Sequence, residues 1–213
     1  MKGLFRADGQ LVEALGKIAD IVVLSLCWIV ASLPVVTLLS ASAALYRTVS
    51  LCLWGDNMHA FRTFWISFRT NLRGGFVPGL SVALLTAINA LWYTFSNSFE
   101  PAGEGLVYLI VSRTLIFIQA IGSIFLIPLF ALRVMRTLEY WKNAYFLAMR
   151  YLPRTICGML LFTASALLTV VFFPLMLLVP AVTALFHTRL TDAIMETYMP
   201  SANQKGKERE YGI

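Results

Sequence analysis

The stretch LVYLIVSRTLIFIQAIGSIFLIPLFAL, residues 106–132, decides the fold. Its only charged residue is Arg113. As one helix it rises about 40 Å, enough to cross roughly 30 Å of hydrocarbon with some tilt. A helix on a soluble core needs a polar face toward water, and this stretch has none. Working outward, three more apolar runs appear at Ala19–Leu39, Phe76–Asn97 and Thr155–His187. The last would be about 50 Å long as one helix, too long for a single crossing. Pro174 and Pro180 interrupt it, and it divides into spans at 155–173 and 175–190. The sequence therefore predicts an all-α fold: a polytopic transmembrane helix bundle of about five spans, one integral domain over residues 1–200. The polar tail 201–213 is expected to be disordered.

Composition agrees. Hydrophobic residues make up 59% of the chain and charged residues 13%, against about 25% charged in a typical globular protein. The net charge of +6 sits beside apolar runs. That placement points to anionic lipid and topology control, with no nucleic acid involved. Cys27, Cys52 and Cys157 are odd in number and embedded in apolar sequence, so neither a disulfide nor a metal site is expected. The small residues Ser40–Ala43 follow the first apolar run like a cleavage site, but that run is long and Asp8, Glu13 and Asp20 precede it. It reads as an uncleaved first span.

Two connectors differ in kind from the spans. Residues 58–73 place Arg62, Arg69 and Arg73 toward one side of a helix and Phe61, Phe64, Trp65 and Phe68 toward the other. Residues 138–152 carry Trp141, Lys142, Phe146 and Arg150, with Arg154 just beyond. Both patterns are those of amphipathic helices at a membrane interface. Basic loops stay in the cytoplasm, so both connectors belong there and the acidic loop 98–105 belongs outside. Five spans then require an outside N-terminus. The rival arrangement makes 19–54 a hairpin, with six spans and an inside N-terminus, but places Arg47 within it. At a shift of 81 residues Phe64–Arg69 lies over Tyr145–Arg150, and Arg73 lies over Arg154. This reads either as an internal parallel repeat, as in some transporters, or as the common look of basic-aromatic stretches that precede spans.

Leu4-Phe5, Lys17-Ile18-Ala19-Asp20, Leu33-Pro34-Val35-Val36-Thr37 and Ala43-Ala44-Leu45-Tyr46 form a recognisable N-terminal pattern. The connector Phe61–Asn71 continues it, and Lys142-Asn143-Ala144 and Leu185-Phe186-His187 add to it. With these landmarks the chain resembles the YesL-like family of uncharacterised bacterial integral membrane proteins. Where that family often has a glycine after the Thr37 region, Leu38-Leu39 stand here. The resemblance implies a multi-pass protein of the bacterial cytoplasmic membrane. It also implies an association with carbohydrate uptake, because such proteins are often encoded beside ATP-driven sugar importers. It supplies no mechanism and no catalytic residue.

Several residues are candidates for function, each beside a plainer reading. Arg113 lies seven residues into its span; it faces the bundle interior as a ligand or ion-pair residue, with Glu100 or Glu104 as partner, or it snorkels to the outer headgroups. Asn89 and Gln119, with Thr86 and Tyr93, line a polar path or simply bond helix to helix. Asp20 caps a helix or carries an ion. Gly75-Phe76-Val77-Pro78-Gly79 matches a helix-dimer motif but contains a proline. Tyr46, Trp54, Trp65, Trp92, Tyr93, Tyr140 and Trp141 suit interfacial aromatic belts. The connector residues Arg62, Phe64, Trp65, Phe68, Arg69, Arg73, Trp141, Lys142, Phe146, Arg150 and Arg154 either anchor in lipid or dock a partner.

No paired carboxylates, nucleophile–base set or phosphate loop is present. The reading is therefore a non-enzyme without cofactor or metal. With what the resemblance implies, the expected role is an accessory or partner subunit of an ATP-driven sugar importer, docking on the permease subunits. The alternative is an autonomous small-solute transporter or channel that works as a homo-oligomer.

Overall fold

The computed structural model describes residues 2–53, 59–98 and 104–198, with side chains from Gly16 onward apart from those of residues 53, 104, 173 and 198. Trp54, Glu100, the Glu104 side chain and the tail 201–213 lie outside the described residues. Among the described residues seven α-helices follow in order: α1 (Lys2–Ser32), α2 (Leu38–Thr48), α3 (Ala60–Ser96), α4 (Glu104–Leu132), α5 (Thr137–Arg150), α6 (Leu152–Val171) and α7 (Val179–Tyr198). Among the described residues four helical stretches are long and apolar enough to cross a membrane: Val35–Cys52, Ala60–Ser96, Gly105–Leu132 and Leu152–Val171.

The first apolar run does not form one span over Ala19–Leu39. Pro34 disfavours helix at Leu33, and α1 stops at Ser32. A 3-10 turn, Val35–Thr37, reverses the chain, and Leu39 belongs to α2. Thr37 Oγ1 closes the reversal by donating to the carbonyls of Ala31 and Pro34, both at 2.7 Å. The indole N–H of Trp28 then reaches Ser42 Oγ at 3.2 Å, so α1 and α2 pair as a hairpin. This is the hairpin of the rival arrangement, formed around a turn earlier than Leu39.

α2 is the most enclosed element. Its small residues Ser40, Ala41, Ala43 and Ala44 are buried, together with Leu39, Leu45 and Tyr46. Small side chains let neighbouring backbones approach, and α3 uses that on its own side through Gly75 and Gly79. A Cβ on Gly79 would collide with the Val36 carbonyl. One on Gly75 would collide with Ser40 Oγ and stand 2.7 Å from Phe130 Cζ. The glycine pair that resembles a dimer motif thus serves a crossing within the chain.

The connector 58–73 and the span 76–97 are not separate. They form the single helix α3, with Pro78 in its interior and not in a first turn. A proline costs one backbone hydrogen bond but does not end a helix whose flanks are held by packing. Here Phe64 and Phe68 pack with Leu24, Leu45 and Val49, and Phe130 meets Gly75. Past Gly79, α3 pairs with the first half of α4. Leu84, Ile88, Leu91, Leu106, Ile110 and Phe117 are exposed there, a surface suited to lipid.

The second half of α4 enters the main core through Ile124, Phe125, Leu126, Leu129 and Phe130. α5 folds back onto it through Tyr140, Ala144, Leu147 and Ala148. The Tyr140 phenol holds the preceding bend, donating to the Arg133 carbonyl at 2.6 Å and accepting from the Met135 N–H at 2.9 Å. Burial pushes that phenol up from its ordinary pKa. α6 ends at Val171, a 3-10 turn covers Phe173–Leu177, and α7 returns beside α6. Ser165 and Thr183 join the two helices at 2.6 Å. Ser25 of α1 accepts from the Ala181 N–H at 3.2 Å, satisfying one of the donors that every helix start leaves open.

Candidate functional site

The connector residues divide into two sets. Phe64 and Phe68 are core residues, with Phe64 fully enclosed; they hold the helix in place and are not a docking surface. Trp141 is half-buried, its indole N–H donating to Ser81 Oγ at 3.2 Å. The other set is exposed: Arg62, Trp65, Arg69 and Arg73 on α3, and Lys142, Phe146, Arg150 and, just into α6, Arg154. Arg69 stands 5.5 Å from the Trp65 ring centre, a cation–π distance. On α5, Leu138, Phe146 and Met149 are 70%, 53% and 70% exposed. With Lys142 they recur every three or four residues, so one face of α5 is apolar and basic together. Glu139 turns back to accept from the Arg136 N–H at 3.3 Å, which places the acid at the helix start and away from that face.

The polar residues of the α3–α4 seam meet one another. The Asn89 amide donates to Gln119 Oε1, and the Gln119 amide donates to Thr86 Oγ1 at 2.7 Å. Helix-to-helix bonding is thus what these groups do in this structure. Arg113 is exposed and does not face the bundle interior. Its guanidinium lies 4.4 Å from the Tyr93 ring centre, so an aromatic face on α3 carries part of its charge.

The sequence reading missed a second polar group deep in the bundle. Tyr46, assigned there to an interfacial belt, is buried on α2. Its hydroxyl donates to Asp192 Oδ1 at 2.5 Å and lies 2.8 Å from Thr191 Oγ1. Ser50 Oγ donates toward Asp192 Oδ2 at 3.4 Å. Thr191 is buried and donates to the His187 carbonyl at 2.8 Å. His187, also buried, lies edge-on to Tyr46 and to Phe162, with ring centres at 5.7 and 5.2 Å.

The position of His187 has a local cause in α4. Pro128 has no N–H to give the Ile124 carbonyl four residues earlier. His187 Nε2 lies 2.9 Å from that carbonyl. A carbonyl only accepts, so Nε2 carries a proton and the ring supplies the bond that proline removed. Two signals in the sequence pointed here: a proline inside an apolar helix, and an isolated histidine in an apolar run. Neither shows which helix would meet which.

No curated protein matches the chain, and no solved structure does. A family model described as a protein of unknown function, DUF624, matches residues 21–93, a segment that takes in the end of α1 from Ile21, all of α2 with Tyr46, Ser50, both crossing glycines and α3 as far as Tyr93.

Proposed function

We propose that this chain is an accessory subunit of the bacterial cytoplasmic membrane, associated with carbohydrate uptake and acting by docking on an ATP-driven sugar importer. One observation carries the docking part. The exposed side chains of α3 and α5 combine basic and large apolar groups on helix faces that no other described element covers. Apolar side chains as exposed as Leu138 and Met149 favour a covered environment, and helix-in-groove binding supplies one. The carbohydrate part rests on the resemblance to the YesL-like family. The DUF624 match is consistent with that resemblance and is itself to an uncharacterised family.

The seam of α3 and α4 also favours docking over autonomous transport. Asn89, Gln119 and Thr86 bond to one another, and such bonds, worth about 1 kcal/mol each, hold helices together without forming a path.

Gentle-detergent purification from the native cells, followed by mass spectrometry, tests the proposal. Permease or binding subunits of a sugar importer should accompany the chain. A variant with Trp65, Arg69, Phe146 and Arg150 all changed to alanine should lose them while remaining folded. Solute flux through liposomes that contain this chain alone, with no importer subunit retained, would overturn it in favour of an autonomous transporter.

A further inference from the structure

We propose that Asp192, with Tyr46, Ser50 and Thr191, forms a proton-binding site that sets how tightly α7 is held to α2. Docking makes no use of this group, and it stands on separate observations. Tyr46 and Thr191 are buried, whereas Asp192 is only partly so. Both carboxylate oxygens thus accept from hydroxyls of the chain, and part of the Asp192 side chain stays uncovered by other described residues.

The 2.5 Å contact between Tyr46 and Asp192 is in the range of a charge-assisted O–H···O bond. At this distance the tyrosine hydrogen already lies between the two oxygens, and the positive charge assigned to this group is a proton.

The backbone supplies an independent sign. α2 does not end in an ordinary turn: residues Val49–Leu53 continue it as a π-helix. Such segments are rare and recur at functional sites. This one carries Ser50, whose hydroxyl reaches the second carboxylate oxygen. The irregular turn and the acid are tied together.

Charged neighbours come mainly from the acid's own helix. Arg189 stands three residues before Asp192 and Glu196 four after. On α2, Arg47 adjoins Tyr46 and is half-buried. His187 lies edge-on to the Tyr46 ring. α1, α4 and α6 meet α7 through Ser25, the Ile124 carbonyl and Ser165, all neutral groups. The 3-10 turn Phe173–Leu177 is apolar.

With Asp192 ionised, Tyr46 donates to a full negative charge and α7 is held fast. Protonation leaves a neutral acid and an ordinary hydrogen bond. The hold on the π-helix then weakens, and Cys52, two residues beyond Ser50 and half-buried, becomes easier to reach.

Cys52 is the reporter. In reconstituted protein carrying Cys27→Ser and Cys157→Ser, N-ethylmaleimide labelling of Cys52 is compared between Asp192 and Asp192→Asn. The ratio of the two rates cancels the pH dependence of the thiol reaction itself. Between about pH 8 and about pH 3, the asparagine variant should label roughly tenfold faster at the upper end, the loss of one charge-assisted bond, and the ratio should fall toward one as acid protonates Asp192. A ratio that stays at one, or holds constant across that range, overturns the proposal. So does a ratio that follows sodium concentration at fixed pH, which would make the ligand a metal cation. If Asp192→Asn does not fold, pH-difference infrared spectra of the Asp192 chain and of Tyr46→Phe decide. The protonated-carboxyl band should appear at higher pH in Tyr46→Phe, because the anion has lost its donor; an unmoved band overturns the proposal.

Discussion

Residues 60–96 and residues 137–171 carry the same ingredients in the same order, a basic-aromatic connector and then an apolar helix, and fold differently. The first pair is one continuous helix. The second is two helices that meet at Tyr151. Proline placement explains part of this. Pro153 falls at the first turn of α6, where a missing N–H costs nothing, and Tyr151 at the junction leaves helical geometry with φ −114° and ψ 46°. At the 81-residue shift the counterpart of Pro153 is Leu72, an ordinary helix former. The first pair has its proline at Pro78, where packing on both flanks keeps the helix intact. The second difference is bulk. Gly75 and Gly79 correspond to Ile156 and Leu160. The glycines admit α2 at close range, whereas Ile156 and Leu160 face outward, exposed. Two similar stretches thus took different neighbours, and the smallest side chains mark the one that was covered.

The most severe way to break the contrast is to make the first pair like the second. Gly79→Leu places bulk against the Val36 carbonyl and should cost about 5 kcal/mol or abolish folding. The reverse change, Leu160→Gly, should cost only about 1 kcal/mol, mostly helix propensity. Thermal unfolding in detergent compares the two, and equal losses would mean that α2 does not depend on that crossing. Phe64→Ala should follow, at about 3–4 kcal/mol, because the ring is fully enclosed. Its counterpart Tyr145 is half-buried, and Tyr145→Ala should lose roughly half as much by the same measurement. Moving the break is the next step down. Leu72→Pro should cost about 3 kcal/mol and lower the helical circular dichroism, while Pro153→Ala should stay within about 1 kcal/mol.

Two smaller effects sharpen the picture. Thr155 Oγ1 donates to the Ala148 carbonyl at 2.8 Å and stitches α5 to α6 across the junction. Thr155→Val should cost about 1–2 kcal/mol in the same unfolding experiment, by leaving that buried carbonyl unmatched. Substituting Trp65, Arg69, Phe146 and Arg150 together by alanine should shift stability least, within about 1 kcal/mol, since all four are exposed. Loss of importer subunits from the purified chain is the effect to look for there.

Apolar length by itself determined the all-helical character of this chain and gave it helices long and apolar enough to cross a membrane. A run such as 106–132 has no other way to satisfy its backbone and hide its side chains. Prolines in the sequence also marked the reversals near Pro34 and Pro174. Which faces would be buried was legible only in part: the connector faces of α3 and α5 were recognisable as amphipathic, but the core role of Phe64 and Phe68 was not. In the chain Tyr46 and Asp192 stand 146 residues apart, and Ile124 and His187 stand 63 apart. No local pattern joins them, because each pair exists only where helices cross. Tertiary structure decided that a glycine pair would admit α2, that a histidine would mend the gap left by Pro128, and that one acid of α7 would meet a tyrosine of α2. The physical reason is common to all three. A polar group or a bare backbone inside a helical bundle needs a partner nearby, and the periodicity of one helix says nothing about which neighbour will provide it.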